Sequence, residues 1–355
     1  MDNTGSITLL NSVFKNNIGD DFEIIPFYTD REKGKTKLSE FNFTNLAYFK
    51  SQQNDLKKLI RKHKPDVFHF SMHSNWSMEK SLALLTTAKK SGVKKTIAHL
   101  HGGSFEKFWK EMNPIRRAIA KRLFKNVDII IVASTYWKDF FKKNGFTNHI
   151  KIVNNPINQK FVERVNLTEQ ANRNSKFLFI GSLGKRKGTY DLLKLAERNK
   201  KIKLTLIGNS EKTGDFERLD EIIKEKKLNN VELIKSDRLP IDDKVNYFRS
   251  MGCFIFPSHI ENFPLVIIEA AAAGMPIIAT PVGALPEFFE HDKNIIFIEP
   301  GNLDQINSAV EQVMSSPLKA VGLGQNANRV FNQKLNLPII IEQLKQAYKT
   351  ILNKC

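Results

Sequence analysis

The sequence predicts an α/β fold of two domains, each built on a parallel β-sheet. Short apolar runs alternate with helical patterns along the chain, which is typical of βαβ units and parallel sheets. The chain has 355 residues, enough for two domains of ordinary size, and its 41% apolar residues are enough for two cores. One polar, irregular stretch over 157–174 interrupts the alternation, and we interpret it as the linker.

Residues 1–160 form the first predicted domain, in which apolar runs indicate strands and helical spacing indicates the segments between them. The predicted strands cover 22–28, 67–70, 95–99, 129–132 and 150–153, and the predicted helices cover 7–14, 54–63, 78–91, 113–124 and 136–144. The chain begins directly with the helix pattern at 7–14, so no strand is predicted before it.

Residues 161–335 form the second predicted domain, and 336–355 form a terminal segment. The predicted strands of the second domain cover 176–180, 203–207, 231–234, 254–256, 277–279 and 295–298. A last helix over 338–352 has apolar residues at helical spacing, which indicates that one of its faces packs against another part of the protein.

Composition excludes several classes of protein. No run of 18 apolar residues occurs, so no membrane-spanning helix is expected. The first ten residues lack the layout of a signal peptide, and two cysteines, Cys253 and Cys355, give neither a disulfide framework nor a metal-binding spacing. The sequence therefore predicts a cytoplasmic protein.

Positive charge is concentrated in the first domain. Residues 1–160 hold 28 Lys and Arg against 14 Asp and Glu, a net charge of +14, whereas the remaining residues contribute +4 to the total of +18. A basic face attracts anionic lipid, nucleic acid or phosphorylated substrates, and the alternative is a lysine-rich solubilising surface. No recognised nucleic-acid module is present, so nucleic acid is not a predicted partner.

A second-domain segment over 258–280 places two carboxylates near the start of one helix. A buried strand ends near residue 256, and the following loop contains Glu261. The helix from about Pro264 contains Glu269, and Gly274 ends it. In an open α/β sheet, ligands bind at the carboxyl ends of the strands, where these two carboxylates are predicted to lie.

The loop over 181–188 has the features of a phosphate site. It follows a strand and precedes a helix, and its glycines allow a sharp turn and close backbone approach to a ligand. Lys185, Arg186 and Lys187 supply positive charge. The loop matches neither a Walker A motif nor a Gly-x-Gly-x-x-Gly motif.

These two segments resemble those of the retaining glycosyltransferases of family 4. That family has two glutamates separated by seven residues, the spacing of Glu261 and Glu269, within a similar loop–helix–turn–strand segment that here extends to residue 287. The resemblance implies a GT-B fold, which is two Rossmann-like domains facing each other across a cleft, with a C-terminal helix that crosses back to the first domain. The family begins with a strand and a Gly-rich loop, so the first domain here is predicted to lack its first strand.

The resemblance also assigns roles to the phosphate loop. Lys187 matches the lysine that neutralises the donor pyrophosphate, beside Gly181 at the strand end. Ser182 replaces the family's arginine, and whether Arg186 substitutes for it stays open. His101, in the Gly-rich segment after a first-domain strand, matches the histidine beside the donor sugar. His69 and His73 flank the end of an earlier strand, and two interpretations of them stay open: they line the acceptor side of the cleft, or they are ordinary polar residues at a strand end.

In the second motif the resemblance assigns Glu269 to the ribose hydroxyls and Glu261 to a hydroxyl of the donor sugar. The backbone around these residues is implied to point at the diphosphate or the sugar. The residues of that backbone are Asn262, Phe263, Pro264, Leu265 and Val266. No Asp-x-Asp pair occurs, so neither a metal nor another cofactor is expected, and Lys187 and helix N-termini would provide the positive charge.

The sequence therefore predicts a retaining glycosyltransferase that moves a sugar from a nucleotide-diphosphate donor to a hydroxyl of a glycan or lipid-linked acceptor. Surface polysaccharide biosynthesis, with peripheral attachment to the inner face of the membrane through the basic first domain, is the expected setting. Two alternatives stay open. One is a nucleotide-sugar 2-epimerase, which would need further acid and base groups, and the other is a degenerate nucleotide-sugar-binding protein without turnover.

Overall fold

The computed structural model describes residues 6–19, 21–29, 43–72, 76–101, 105–167 and 173–353. The chain divides into two compact units. Unit 1 contains Met1–Asn154 and Ile340–Cys355, and unit 2 contains Asn155–Ile339. The division therefore falls six residues before the predicted boundary at 160, and the terminal segment joins unit 1 from Ile340 onwards. Within these ranges no helix has both the length and the apolar character that crossing a bilayer requires.

Unit 1 contains a four-stranded parallel sheet with its strands in sequence order. The strands are β1 (Val67–Met72), β2 (Lys95–Leu100), β3 (Ile129–Val132) and β4 (His149–Ile152). The helices of this unit are α1 (Ser6–Asn17), α2 (Phe43–His63), α3 (Trp76–Lys90), α4 (Phe105–Glu111), α5 (Pro114–Phe124) and α6 (Thr135–Lys143). All four residues of β3 are buried, as is usual for a parallel strand covered on both faces.

Aromatic side chains fill much of the core of unit 1. The rings of Phe141 and Phe146 lie 4.8 Å apart and those of Phe124 and Phe146 lie 5.1 Å apart, both at near-perpendicular angles. Helix α4, which the sequence analysis does not predict, contributes the fully buried Phe105 and Trp109 to this core. The Trp109 indole donates a hydrogen bond of 3.0 Å to Asn144 Oδ1, so its polar edge is satisfied.

Unit 2 contains a six-stranded parallel sheet of order β10-β9-β8-β5-β6-β7. Its strands are β5 (Lys176–Ile180), β6 (Lys203–Gly208), β7 (Val231–Lys235), β8 (Cys253–Phe256), β9 (Ile277–Ala279) and β10 (Ile296–Phe297). Its helices are α7 (Gln159–Leu167), α8 (Thr189–Arg198), α9 (Asp215–Glu225), α10 (Ile241–Ser250), α11 (Leu265–Ala272), α12 (Leu285–Phe288), α13 (Leu303–Ser315) and α14 (Pro317–Val330), followed by a π-helical turn over Phe331–Leu335.

The last helix, α15 (Leu337–Leu352), packs on unit 1 over most of its length. Its Gln343 side chain exchanges two hydrogen bonds with Asn154, at 3.0 and 3.1 Å, and its Lys345 pairs with Asp21 at 2.9 Å. The buried Tyr348 contacts the ring of Phe22 at 5.1 Å. These contacts attach the C-terminal end of the chain to unit 1.

Two predictions of local structure are wrong. The strand predicted at 22–28 is irregular, since Phe22 packs on α15 and Pro26 lacks an N–H for a ladder. The predicted linker over 157–174 contains helix α7, whose Phe161 and Val165 are buried on one face of a helical turn. Residues 1–5, on which the prediction of a missing first strand depends, lie outside the described residues.

Candidate functional site

The strand order of unit 2 creates a crevice between β5 and β8. From β5 the chain adds β6 and β7 on one side, and it then returns to place β8, β9 and β10 on the other side. The loops after two such strands diverge, and ligands of open α/β sheets bind in the crevice between them. Here these loops are 181–188 and 257–264, so both sequence motifs meet at the same point of the sheet.

Backbone contacts hold the two loops together. The carbonyl oxygen of Arg186 accepts hydrogen bonds from the His259 amide at 2.8 Å and from Ser258 Oγ at 3.2 Å. Gly188 has a φ of +74°, and a Cβ placed on it would lie 2.1 Å from the carbonyl oxygen of Pro257. Only glycine fits this position, so the approach of the loops depends on Gly188.

Lys187 and Glu261 form an ion pair across the crevice. The distance from Lys187 Nζ to Glu261 Oε1 is 2.5 Å, and the side chains are 14% and 11% exposed. The same carboxylate oxygen accepts a hydrogen bond of 2.8 Å from Ser258 Oγ, and the Lys187 ammonium lies 5.2 Å from the centroid of Phe256. A largely buried cation is therefore held where the two loops converge, with a weakly screened charge.

Arg186 is held by carboxylates in the same region. Its guanidinium pairs with Glu211 and lies 3.5 Å from Glu261 Oε1, and it donates a hydrogen bond of 3.2 Å to the carbonyl of Ile260. Ser182, in the position of the family's arginine, is exposed. The structure thus places Arg186 beside Lys187 and Glu261, with its charge offset by two carboxylates.

Glu269 has a partner that the sequence analysis misses. It is the fifth residue of α11 and is 7% exposed. Nζ of Lys244, on α10, lies 2.6 Å from each of its carboxylate oxygens and 5.7 Å from the centroid of Phe161. Lys244 lies on another helix, 25 positions away, and no spacing rule predicts such a contact.

The residues between the two glutamates form a fixed turn into α11. The carbonyl of Asn262 accepts a hydrogen bond of 3.0 Å from the Ala284 amide, and Phe263 is buried with its ring 6.1 Å from that of Phe288. Pro264 is the N-cap of α11, which begins with Leu265 and Val266. In the other loop, Gly181 lies directly after β5.

His101 belongs to unit 1, whereas the other predicted site residues belong to unit 2. It follows the last residue of β2, and its ring centroid lies 4.1 Å from that of His99. His99 Nδ1 lies 3.3 Å from Nε2 of His69, whose Nδ1 lies 2.7 Å from the Tyr348 hydroxyl. His73 lies outside the described residues.

Removal from water keeps two of these histidines neutral, of which His99 is fully buried and His69 is half-buried. Removal from water lowers the pKa of His69 to about 4, and it lowers the pKa of His99 well below its ordinary value. His99 is further disfavoured as a cation by the neighbouring His101 and His69. His69 and His99 share a face of the sheet because strand side chains alternate.

The site offers an ammonium, two carboxylates and a helix start within one crevice of unit 2, which suits a ligand carrying both phosphate and hydroxyl groups. In the ranges that the structure describes, no cluster of three or more His, Cys, Asp or Glu side chains has the arrangement of a metal site.

Two family models together match most of the chain. The model described as Glycosyltransferase Family 4 matches residues 26–161, and that described as Glycosyl transferases group 1 matches residues 162–330. The chain belongs to this family of glycosyltransferases. The predicted family and enzyme class are thereby confirmed.

Relatives of the chain include a capsular polysaccharide biosynthesis glycosyltransferase and a protein of a cps region. It is 25% identical to the capsular polysaccharide biosynthesis glycosyltransferase CapM of Staphylococcus aureus, over 61% of this chain and 55% of CapM. It is 27% identical to an uncharacterized 41.2 kDa protein in the cps region of Klebsiella pneumoniae, over 98% of this chain and 96% of that protein. The chain therefore spans little more than half of CapM but nearly all of the Klebsiella protein.

Solved structures show the same fold. Sucrose-phosphate synthase from Thermosynechococcus elongatus matches with a TM-score of 0.71 at 18% identity, covering 89% of this chain and 81% of that chain. Anabaena Alr3699/HepE in complex with UDP matches with a TM-score of 0.69 at 16% identity, covering 84% and 82%. These likenesses confirm the predicted fold class, the two-domain α/β fold of GT-B glycosyltransferases.

Proposed function

We propose that this glycosyltransferase moves a sugar, with retention of anomeric configuration, from a nucleoside-diphosphate sugar to a hydroxyl of a glycan or lipid-linked acceptor. The observation that carries the proposal is the buried Lys187–Glu261 pair at the crevice between β5 and β8. The name of the relative CapM, a capsular polysaccharide biosynthesis glycosyltransferase, supports surface polysaccharide biosynthesis as the setting.

In this proposal the Lys187 ammonium contacts the diphosphate when it enters and offsets the phosphate charge. Its ion pair with Glu261 is then either broken or kept alongside the new contact. Glu261 then accepts a hydrogen bond from a hydroxyl of the donor sugar. Glu269 accepts hydrogen bonds from the two ribose hydroxyls, and Lys244 holds its carboxylate in place. The backbone at the start of α11 faces the diphosphate. His101 is proposed for the role beside the sugar that the family resemblance implies.

The proposed chemical step needs no protein nucleophile. The bond between the anomeric carbon and the diphosphate oxygen breaks, and a bond from that carbon to the acceptor oxygen forms on the same face of the sugar. The acceptor proton passes to the leaving diphosphate oxygen. Lys187 stabilises the charge that develops on this oxygen, which is the kind of preorganised electrostatic contact that contributes most to catalysis.

The donor and the cellular setting are proposed from separate observations. Uridine nucleotides are the first donors to test, because HepE, which has a similar fold, was solved in complex with UDP and with UDP-glucose. The excess of Lys and Arg in residues 1–160 supports work at an anionic membrane surface, which we place on the cytoplasmic side in this proposal. We expect full activity in the presence of a metal chelator, since Lys187 supplies the cation at the diphosphate.

The test is release of nucleoside diphosphate from a panel of UDP-, GDP- and ADP-sugars, with and without extracted glycan and lipid-linked acceptors. Acceptor-dependent release, with an unchanged anomeric configuration in the product, is the expected result. Lys187→Ala should lower this rate by roughly 100-fold. Formation of a C2 isomer of the donor would instead indicate an epimerase. Binding without turnover of any donor would indicate a degenerate binding protein.

A further inference from the structure

Helix α5 has an exposed face that combines apolar and basic side chains. Ile115 and Ile119 are 73% and 57% exposed, although they lie on a helix whose opposite face contributes Ala120 and Phe124 to the core. Residues four apart share one face of a helix, so the two isoleucines form one apolar ridge. The two isoleucines form a small exposed apolar patch, and a patch of this kind is a candidate contact surface where charged residues rim it.

The ridge borders an apolar groove between α3 and α5. This groove has a volume of about 330 Å³, and its floor is formed by Met78, Leu82 and Leu123. A second groove of about 410 Å³ adjoins it at Leu123 and is lined by Lys57 and Lys90. The apolar groove beside the two isoleucines therefore adjoins a more polar groove, whose lining includes Lys57, Lys90 and Glu79.

The charges of α5 are all positive. The helix sequence PIRRAIAKRLF contains four basic residues and no acidic residue. Arg116 pairs with Glu79, and Arg117 donates to the carbonyls of Lys110 and Met112, so these two cations are used within unit 1. Arg122, in the last turn of α5, and Lys125, the residue directly after the helix, are exposed. Neither has an ion-pair partner among the residues that the structure describes.

We propose that this face of α5 docks on an anionic phospholipid bilayer. Ile115 and Ile119 would enter the boundary between headgroups and acyl chains, while Arg122 and Lys125 contact the anionic headgroups. This arrangement of apolar ridge and flanking cations is that of a helix lying in a membrane interface. A second copy of the chain is disfavoured as the occupant, because two α5 faces would bring like charges together.

The proposal rests on the proposed function in one respect, since a lipid-linked acceptor would bring the enzyme to a membrane. It differs from a general effect of the +14 charge of residues 1–160. Vesicle binding through overall charge would decrease with salt but would not depend on Ile115 and Ile119. Binding through α5 decreases with salt and also requires these two isoleucines.

The experiment is cosedimentation of the full chain with vesicles of phosphatidylcholine, alone or mixed with phosphatidylglycerol. We expect binding to the mixed vesicles only, decreasing as salt rises. Ile115→Ser/Ile119→Ser and Arg122→Glu/Lys125→Glu should each reduce binding by roughly tenfold or more.

The control is Leu318→Ser/Val321→Ser, which removes two apolar side chains, 90% and 42% exposed, from α14 of unit 2. This variant should bind vesicles as the unaltered protein does. Equal binding by the Ile115→Ser/Ile119→Ser variant would overturn the proposal. The proposal would also be overturned if the unaltered protein formed a dimer in solution and did not bind vesicles, and if Ile115→Ser/Ile119→Ser abolished that dimer. Nucleoside-diphosphate binding, which the α5 variants should retain, separates failure of this proposal from failure of the proposed function.

Discussion

Glu261 and Glu269 have different neighbours, and this difference predicts different effects of substitution. Glu261 shares one oxygen between Lys187 and Ser258, whereas both oxygens of Glu269 contact Lys244. Glu269→Gln should weaken binding of free nucleoside diphosphate by about 1.5–3 kcal/mol, the scale of a hydrogen bond to a charged group. Glu261→Gln should leave that binding nearly unchanged and weaken only binding or turnover of the sugar-bearing donor, as measured by calorimetry and initial rates.

Lys244 provides the control for this comparison. Loss of the Glu269 charge leaves a largely buried ammonium without its carboxylate, so Glu269→Gln should also lower the free energy of unfolding. Lys244→Met/Glu269→Gln removes both charges and should recover stability but not nucleotide affinity. Recovery of both in the double variant would show that Glu269 acts only through its ion pair, and the ribose role would be lost.

At the scale of elements, the loop between β5 and α8 depends on Gly188. A side chain at this position would have a positive φ and would collide with the backbone of Pro257. Gly188→Ala should therefore destabilise the β5 and β8 region by about 1–3 kcal/mol or more and weaken donor binding. Hydrogen exchange of peptides covering the two strands measures the first effect, and calorimetry measures the second.

Gly322 is the matched control for Gly188. It lies inside α14 without a positive φ, and a Cβ placed on it would have no neighbouring atom within 4 Å. Gly322→Ala should stabilise unit 2 by up to about 1 kcal/mol, since alanine favours a helix interior. If Gly188→Ala were equally harmless, the close approach of the two loops would not matter for stability.

The sequence predicts best those elements whose pattern of apolar residues lies within the element itself. β5 and β9 occur at the predicted residues because short, almost entirely apolar runs between turn signals have few alternatives. Helix α7 escapes prediction because its short stretch is mostly polar, and only Phe161 and Val165 are buried. The segment at 22–28 has strand-like composition, but its packing against α15 involves a residue far away in the sequence, Tyr348.

At the scale of the whole molecule, unit 1 should be the acid-sensitive part. His69 is neutral in the folded protein because burial lowers its pKa to about 4, whereas the unfolded chain binds a proton below about pH 6.5. The unfolded state thus binds more protons as pH falls from about 6.5 to 4, and the stability of unit 1 decreases. Between about pH 7.5 and pH 5 the loss from His69 alone should be about 2 kcal/mol.

Tryptophan fluorescence measures this effect for unit 1 separately, because the three tryptophans, Trp76, Trp109 and Trp137, all belong to that unit. Urea denaturation at the two pH values should show the predicted loss. His69→Gln should reduce the dependence on pH, while His63→Gln, at an exposed position on α2, should leave it intact. Equal pH dependence in all three proteins would contradict a neutral His69 in the folded protein.

The candidate site is predictable from the sequence only in part. The sequence indicates both loops and both glutamates, since each lies in a contiguous motif. It does not indicate that the loops meet at the reversal of strand order, which depends on the pairing of β5 with β8. Nor does it indicate Lys244, because contacts between helices that are distant in sequence leave no periodic pattern.

The measurement that tests the central claim most directly is calorimetric binding of nucleoside diphosphate to the unaltered protein, Lys187→Ala and Lys185→Ala. Lys185 lies in the same loop but is exposed, so its variant controls for the loss of one charge. If the crevice between β5 and β8 holds the diphosphate, Lys187→Ala should weaken binding by about 10- to 100-fold and Lys185→Ala by less than about threefold. Undiminished affinity of Lys187→Ala, or equal losses in the two variants, would contradict the account.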